Sequence, residues 1–139
     1  ATTFVSDTGV VLGAHWGNAS HIAPELQSAL GSAVRANLRQ EVELDYSRQS
    51  VFELGVLGFE IVNGCHPVEG YPFSVTSPST GRVQYGDGDI AQISADRLGS
   101  EQASMLRRAV SCDASRRPSL DELIGCFDPT GELGVVHIF

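Results

Sequence analysis

Residues 51–62, VFELGVLGFEIV, decide the predicted fold, because they form a long and largely apolar stretch in the middle of the chain. β-Branched and aromatic side chains, which favour strands, dominate it. Gly55 and Gly58 would each weaken a helix by about 1 kcal/mol relative to alanine. We therefore predict one long strand, or two strands joined at a glycine bulge. A helix over the same residues is the alternative.

Before this stretch, the chain carries signals for a hairpin and for a helix. The apolar residues 4–5 and 10–12 flank SDTG, a good turn sequence, and predict a short hairpin. Residues 21–40 place apolar side chains mostly three and four positions apart, which is typical of an amphipathic helix. Pro24 and Glu25 suit the first turn of that helix.

Further strands are predicted from alternation and from turn residues. In residues 41–46, acidic side chains alternate with Val42, Leu44 and Tyr46, as in a strand with one solvated face. Residues 73–76 and 82–85 flank SPSTG and predict a second hairpin. Residues 90–94 and the apolar stretch 133–139 predict two more strands.

Two shorter helices are predicted in the last third of the chain. Ser100 suits the start of one helix. Ser119 and Glu122 have the spacing of a capping box, and residues 120–127, LDELIGCF, follow as a second helix. The whole order predicts an α+β fold in a single domain, 1–139, with a largely antiparallel sheet and one long and two shorter helices packed on it.

Length and composition agree with one globular domain. The chain has 139 residues, 42% of them hydrophobic and 19% charged. Its apolar stretches are shorter than the roughly 20 residues that span a bilayer, so we predict no membrane association. Three cysteines without a CxxC spacing, and a beginning that lacks a signal-peptide pattern, favour a reduced, cytoplasmic protein.

The charge of the chain limits the partners that it can bind. A formal net charge of −8 repels phosphate backbones, so nucleic acid is not expected as a partner, whereas a basic protein would be attracted. All nine basic residues are arginine. Without a lysine, neither Schiff-base chemistry nor a P-loop is available. We predict no cofactor.

The segment Gly64–Phe73, GCHPVEGYPF, contains a candidate nucleophile, Cys65. Neighbouring side chains of an extended chain point to opposite faces, so the base would come from elsewhere, and His15 or His137 is the candidate. The alternative is a loop in which Cys65 packs as a small apolar group.

A second candidate site is the segment 13–21, GAHWGNASH, which precedes the predicted long helix. Loops before helices bind anions through backbone N–H groups and the positive end of the helix dipole. The residues predicted to bind a small anionic ligand here are His15, Trp16, Asn18, Ser20 and His21. Alternatively, Trp16 packs on the sheet and Ser20 helps to cap the helix.

Acidic residues provide the third candidate site. Glu41, Glu43 and Asp45 lie on one face of a predicted strand and suit a basic partner. The alternative is a charged edge that discourages aggregation of strands. The acidic pair within residues 85–89, YGDGD, is interpreted as a turn. No metal site is predicted, because no two histidines have the i, i+4 spacing of a helical zinc pair.

Two functions from different classes follow from these features. The first is a small acidic binding or regulatory protein, of the toxin-neutralising or adaptor type, that engages a basic protein partner. The alternative is a small enzyme or effector that uses Cys65 with a distant histidine, or that binds an anionic ligand at the His15–His21 loop. The sequence alone leaves both open.

Overall fold

The computed structural model describes residues 4–5, 10–12, 18–35, 43–128 and 130. These residues are mainly helical. Their α-helices are α1 (Pro24–Arg35), α2 (Gln49–Asn63), α3 (Ser100–Ala109) and α4 (Leu120–Phe127). Their strands are β1 (Phe4–Val5), β2 (Val10–Leu12) and β3 (Glu43–Asp45), which form a short antiparallel ribbon in the order β1-β2-β3.

The predicted α+β fold with a largely antiparallel sheet is wrong. Residues 51–62, expected to form its longest strand, lie inside α2, the longest described helix. Strand pairing in the described residues is limited to the short ribbon and two isolated bridges. Instead of covering a sheet, α2, α3 and α4 pack against one another.

The two glycines of α2 are the first reason for this error. A Cβ atom at Gly55 would lie 2.8 Å from Val110 Cγ1 and 2.9 Å from Ala109 Cβ. One at Gly58 would lie 2.8 Å from Leu106 Cδ2. Glycine is therefore required where α3 crosses α2, and the packing outweighs the weak helix propensity of these residues.

The second reason is that α2 is apolar on two faces. Phe52, Val56 and Phe59 are completely buried and form the centre of the core. Leu54 and Ile61 lie on another face and are exposed. With apolar residues on both faces, the sequence does not show the single stripe that identifies an amphipathic helix.

Several predictions from local signals are confirmed. The hairpin pairs Phe4 with Leu12, and the predicted long helix is present as α1 from Pro24 to Arg35. The acidic strand is β3, which pairs with β2. Helices α3 and α4 occur where they were predicted, and the Ser119–Glu122 capping box forms at the start of α4.

The strands predicted between α2 and α3 are wrong. In the predicted second hairpin, residues 73–75 form a 3-10 turn, and only the isolated bridge between Thr76 and Val83 remains of the ladder. Ile90 makes a single bridge with Val68 and does not start a strand. The predicted strand 133–139 lies outside the described residues.

A buried ion pair joins α1 to the core. The side chain of Arg117 is completely buried, and it donates two hydrogen bonds of 2.7 and 2.8 Å to the carboxylate of Glu25 in α1. Its Nε donates to the carbonyl of Ser111, and its guanidinium lies 5.1 Å from the ring centre of Phe52. This arrangement satisfies a buried charge that would otherwise be strongly destabilising.

Hydrogen bonds from buried side chains hold the segment before α1. Gln49, at the start of α2, accepts from the backbone N–H of Ala23 and donates to the carbonyl of His21. The hydroxyl of Tyr71 donates to the carbonyl of Ile22. These contacts link parts of the chain that are far apart in sequence. Among the described helices, none combines the length and the apolar character needed to cross a bilayer.

Replacing Gly55 with alanine should destabilise the fold, because the added methyl group overlaps Val110 and Ala109. We expect the free energy of unfolding to fall by about 1–3 kcal/mol in denaturant titrations. The control is Gly125→Ala in α4, where a Cβ meets nothing within 4 Å and the fold should gain up to about 1 kcal/mol. Equal effects of both substitutions would contradict the close approach of α2 and α3.

Replacing Glu25 with glutamine should leave the buried charge of Arg117 unpaired. We expect a loss of about 3–5 kcal/mol in the free energy of unfolding, measured by denaturation. The control is Asp87→Asn, which removes an exposed ion pair with Arg116 and should cost about 1 kcal/mol or less. Similar losses in the two variants would show that the Arg117 pair has no special role.

Candidate functional site

The structure shows no hydrogen bond between Cys65 and its sequence neighbour His66. Cys65 is exposed just after Gly64, the residue that caps the end of α2. The Nε2 of His66 donates to the carbonyl of Ser20 at 2.7 Å, and its Nδ1 accepts from the backbone N–H of Val68 at 3.0 Å. Both ring nitrogens are thus occupied by backbone groups.

The proposed catalytic partners of Cys65 stay untested. His15 and His137 lie outside the described residues, as does Trp16. A paired nucleophile and base is therefore a sequence-based prediction that nothing here supports or contradicts.

In the predicted ligand loop, residues 18–21 are described, and their polar side chains form hydrogen bonds within the protein. The side-chain oxygen of Asn18 accepts from the backbone N–H of Ser20 at 3.1 Å and from its hydroxyl at 2.8 Å. His21 Nε2 lies 2.9 Å from a carboxylate oxygen of Glu60 in α2. Asn18, Ser20 and His21 therefore fix the approach to α1, and their binding of an anion is a prediction that is not tested.

His66 is held in a partly buried position under this loop. Its ring stacks on Tyr71, with ring centres 4.8 Å apart and planes inclined by 8°. Burial lowers the pKa of His66 below its usual value, more than the nearby backbone carbonyls raise it. In the neutral ring Nε2 donates to Ser20 and Nδ1 accepts from Val68, whose carbonyl oxygen also lies 3.1 Å from Nδ1.

In the predicted acidic partner site, Asp45 forms part of a local turn. Asp45 is exposed, and its carboxylate accepts from the backbone N–H of Ser47 at 2.9 Å. Hydrogen bonds from the side chain and backbone of Ser47 lower the pKa of Asp45. Glu43 lies in β3, and Glu41 lies outside the described residues. A role of these three residues in partner binding stays a prediction.

The two carboxylates of YGDGD, those of Asp87 and Asp89, both bind other groups of this chain. Asp87 forms an ion pair of 2.9 Å with Arg116, and Asp89 accepts from the backbone N–H of Gly86. The segment forms a 3-10 turn. Within the described ranges, no group of three or more potential metal ligands lies together.

A groove between α2, α3 and α4 is the candidate site that the sequence analysis missed. It has a volume of about 450 Å³. The residues that line it in the described part of the chain are all apolar or glycine: Leu54, Leu57, Gly58, Ile61, Val62, Leu98, Leu106, Leu123, Ile124 and Phe127. We call this surface the apolar groove.

The apolar groove has a buried floor and exposed walls. Leu106 of α3 and Leu123 of α4 are buried and belong to the core. On the walls, Ile61 is 83% exposed and Ile124 is 50% exposed. Large aliphatic side chains with this exposure, lining one groove from two helices, are typical of a surface that binds another molecule.

The position of Gly58 explains why the groove is open. Leu106 of α3 lies against Gly58, so its side chain fills the floor at a point where α2 has no side chain. Leu54 and Ile61, which stand one turn away on either side of Gly58, are then left as walls. The same contact that brings α3 close to α2 thus shapes the groove.

The three helices that form the apolar groove contain more acidic than basic side chains. Helices α2, α3 and α4 contain five carboxylates and two arginines, Arg107 and Arg108. Arg97, next to the groove residue Leu98, donates to the carbonyl of Val62 at the end of α2. The carboxylates are those of Glu53, Glu60, Glu101, Asp121 and Glu122.

One sequence signal for this groove was present. Leu54, Leu57, Gly58 and Ile61 recur at spacings of three and four, which is a helical stripe distinct from the buried one. These residues share one face only if residues 51–62 are helical. Because they were predicted as a strand, the second apolar face was not recognised.

No protein-family model matches this chain, and neither a curated protein nor a solved structure matches it. Its function is therefore inferred from its own geometry.

Protonation of His66 should destabilise the fold. Burial lowers its pKa from the usual 6.5, so the unfolded chain binds this proton more tightly than the folded chain does. The stabilising contribution of the neutral ring is complete above the unfolded pKa and is lost as the pH falls through the folded pKa. We expect the free energy of unfolding to decrease between about pH 7.5 and about pH 5.5.

The control for this pH dependence is His66→Gln, which cannot titrate. Denaturant titrations at both pH values should show a smaller decrease in the variant than in the original chain. An unchanged decrease would show that other groups cause it.

Proposed function

We propose that this chain is a binding or regulatory protein that receives a basic amphipathic helix of a partner protein in the apolar groove. The exposure of Ile61 and Ile124, which line the same apolar groove from two helices, is the observation that carries this proposal. It favours the binding function, whereas the histidines of the enzyme alternative, His15 and His137, lie outside the described residues. A cytoplasmic location remains part of the proposal.

The apolar walls favour a helix as the bound segment. An extended peptide has backbone N–H and C=O groups that need partners, and side chains of leucine, isoleucine and phenylalanine provide none. A helix satisfies these groups internally and presents apolar residues at positions i, i+3 or i+4, and i+7. Such a stripe can fill the groove without leaving a polar group unpaired.

The charges favour a basic partner. With five carboxylates on the three helices and a net charge of −8, the surface attracts lysine and arginine side chains that flank an apolar stripe. A second copy of the chain would bring acidic helices together, which is unfavourable. The bound segment is therefore expected to belong to another protein.

The proposed partner surface is not the acidic surface that the sequence predicts. The sequence predicts it at Glu41, Glu43 and Asp45, where apolar side chains alternate with acidic ones. The helices offer apolar area together with acidic charge, and buried apolar area is what stabilises most complexes.

The test is binding of a synthetic helical peptide of about 18 residues, with leucine at i, i+3, i+4 and i+7 and arginine elsewhere, measured by fluorescence anisotropy. We expect saturable binding that weakens as salt rises from about 0.05 to about 0.5 M. Ile61→Glu should weaken binding at least about tenfold, because it puts a charge on the apolar wall.

Phe73→Glu is the matched control. Phe73 is as exposed as Ile61, at 83%, but it does not line the apolar groove. It should leave the affinity within about twofold of the original, which is a difference of about 0.4 kcal/mol. A second control peptide carries glutamate in place of arginine and should bind much more weakly.

Three outcomes would overturn the proposal. The first is absence of peptide binding, or an equal loss of affinity for the peptide in Ile61→Glu and Phe73→Glu. The second is a dimer of the unbound chain that Ile61→Glu dissociates, observed by sedimentation, since the occupant would then be a second copy. The third is peptide binding only after deletion of residues 131–139, which would assign the groove to the chain's own apolar stretch 133–139.

A further inference from the structure

A second cleft, separate from the apolar groove, is lined by three arginines. Arg107 and Arg108 come from the last turn of α3, and Arg116 comes from the 3-10 turn Ala114–Arg116. The cleft has a volume of about 450 Å³. Three of the nine basic residues of an acidic chain therefore line one surface feature, which we call the arginine cleft.

Arg107 is oriented by the loop opposite α3. Its Nη2 donates to the carbonyl of Asp87 at 2.9 Å and to that of Ile90 at 3.4 Å. Its Nε is buried and has no hydrogen-bond partner among the described residues. The guanidinium is thus held at the wall of the cleft by carbonyls, and none of the ion pairs found among the described residues neutralises its charge.

The other two arginines are only partly neutralised. Arg108 lies 4.0 Å from a carboxylate oxygen of Glu122, and both side chains are about half exposed. Arg116 forms a 2.9 Å pair with Asp87, also on the surface. Asp87 is the one carboxylate among the described residues that line the cleft, so the lining carries three positive charges and one negative charge.

A hydroxyl group adds a neutral donor to this lining. Ser104 and Ser115 both line the arginine cleft. Ser104 is exposed on α3, whereas the hydroxyl of Ser115 donates to the carboxylate of Asp113 at 2.7 Å and is not available to donate to a ligand. Guanidinium forks and hydroxyls together are the groups that proteins use to bind phosphate oxygens.

The dipole of α3 accounts for part of this arrangement. Arginines in the last turn of a helix are favourable near its negative end, which explains Arg107 and Arg108. It does not explain Arg116, which belongs to a different segment and lines the same cleft. Convergence of separate segments is what distinguishes a binding site from a helix end.

We infer that the arginine cleft binds a phosphate dianion, either free or as the phosphoryl group of a small organic molecule. A larger cleft of about 780 Å³ adjoins it and shares Asp87, Ser111 and Arg116 with it. Tyr85 and Val83 line that larger cleft and provide apolar and aromatic surface. The organic part of a phosphomonoester can lie there, within the usual volume range of ligand pockets.

The test uses inorganic phosphate and phenyl phosphate as probes in calorimetric titrations at low ionic strength. We expect saturable binding of both, and Arg108→Gln or Arg116→Gln should each weaken it about tenfold or more, as removal of one charged hydrogen bond does. The matched control is Arg97→Gln, which removes the same charge beside the apolar groove and should change the affinity by less than about twofold.

The two probes distinguish the source of the phosphate. Tighter binding of phenyl phosphate assigns the adjoining cleft to an organic group, whereas equal affinities assign the site to free phosphate, and both results support the inference. It is overturned if neither probe saturates, or if Arg97→Gln weakens binding as much as the cleft variants do. The helical-peptide titration is independent of this result, because it measures a different surface.

Discussion

The structure depends on the close approach of α3 to α2 at Gly55 and Gly58. No larger residue fits there without displacing Leu106, Ala109 or Val110, so this contact sets how closely α2 and α3 approach. It buries one apolar face of α2 in the core and leaves the other face at the surface. The apolar groove is therefore a direct consequence of how the core is packed.

Polar contacts from distant parts of the chain complete this core. Arg117 reaches Glu25 of α1 from beyond α3, and Gln49 and Tyr71 hold the backbone before α1. Several of the residues that looked chemically active in the sequence belong to this framework. His21 and His66, for example, contact Glu60 and a backbone carbonyl rather than a thiol.

The two proposed sites use opposite chemistry on separate surfaces. The apolar groove combines aliphatic walls with acidic neighbours and suits a basic helix, whereas the arginine cleft concentrates positive charge and suits a phosphate group. An acidic chain can contain both because net charge describes the whole surface, while binding depends most on the groups that line each site.

By itself, the sequence determined what depends on neighbouring residues: the β1–β2 hairpin, the strand at 43–45, the start of α1, the Ser119–Glu122 capping box and the acidic charge. Only the tertiary structure decided that residues 51–62 are helical, because their two glycines and two apolar faces favour a helix only when α3 and α4 pack against them. Neither the apolar groove nor the arginine cleft could be predicted from the sequence, and the reason is the same for both. They join residues that are far apart in sequence, such as Leu57 with Leu123, 66 positions apart, and Asp87 with Arg116, 29 positions apart, and no local pattern records such contacts.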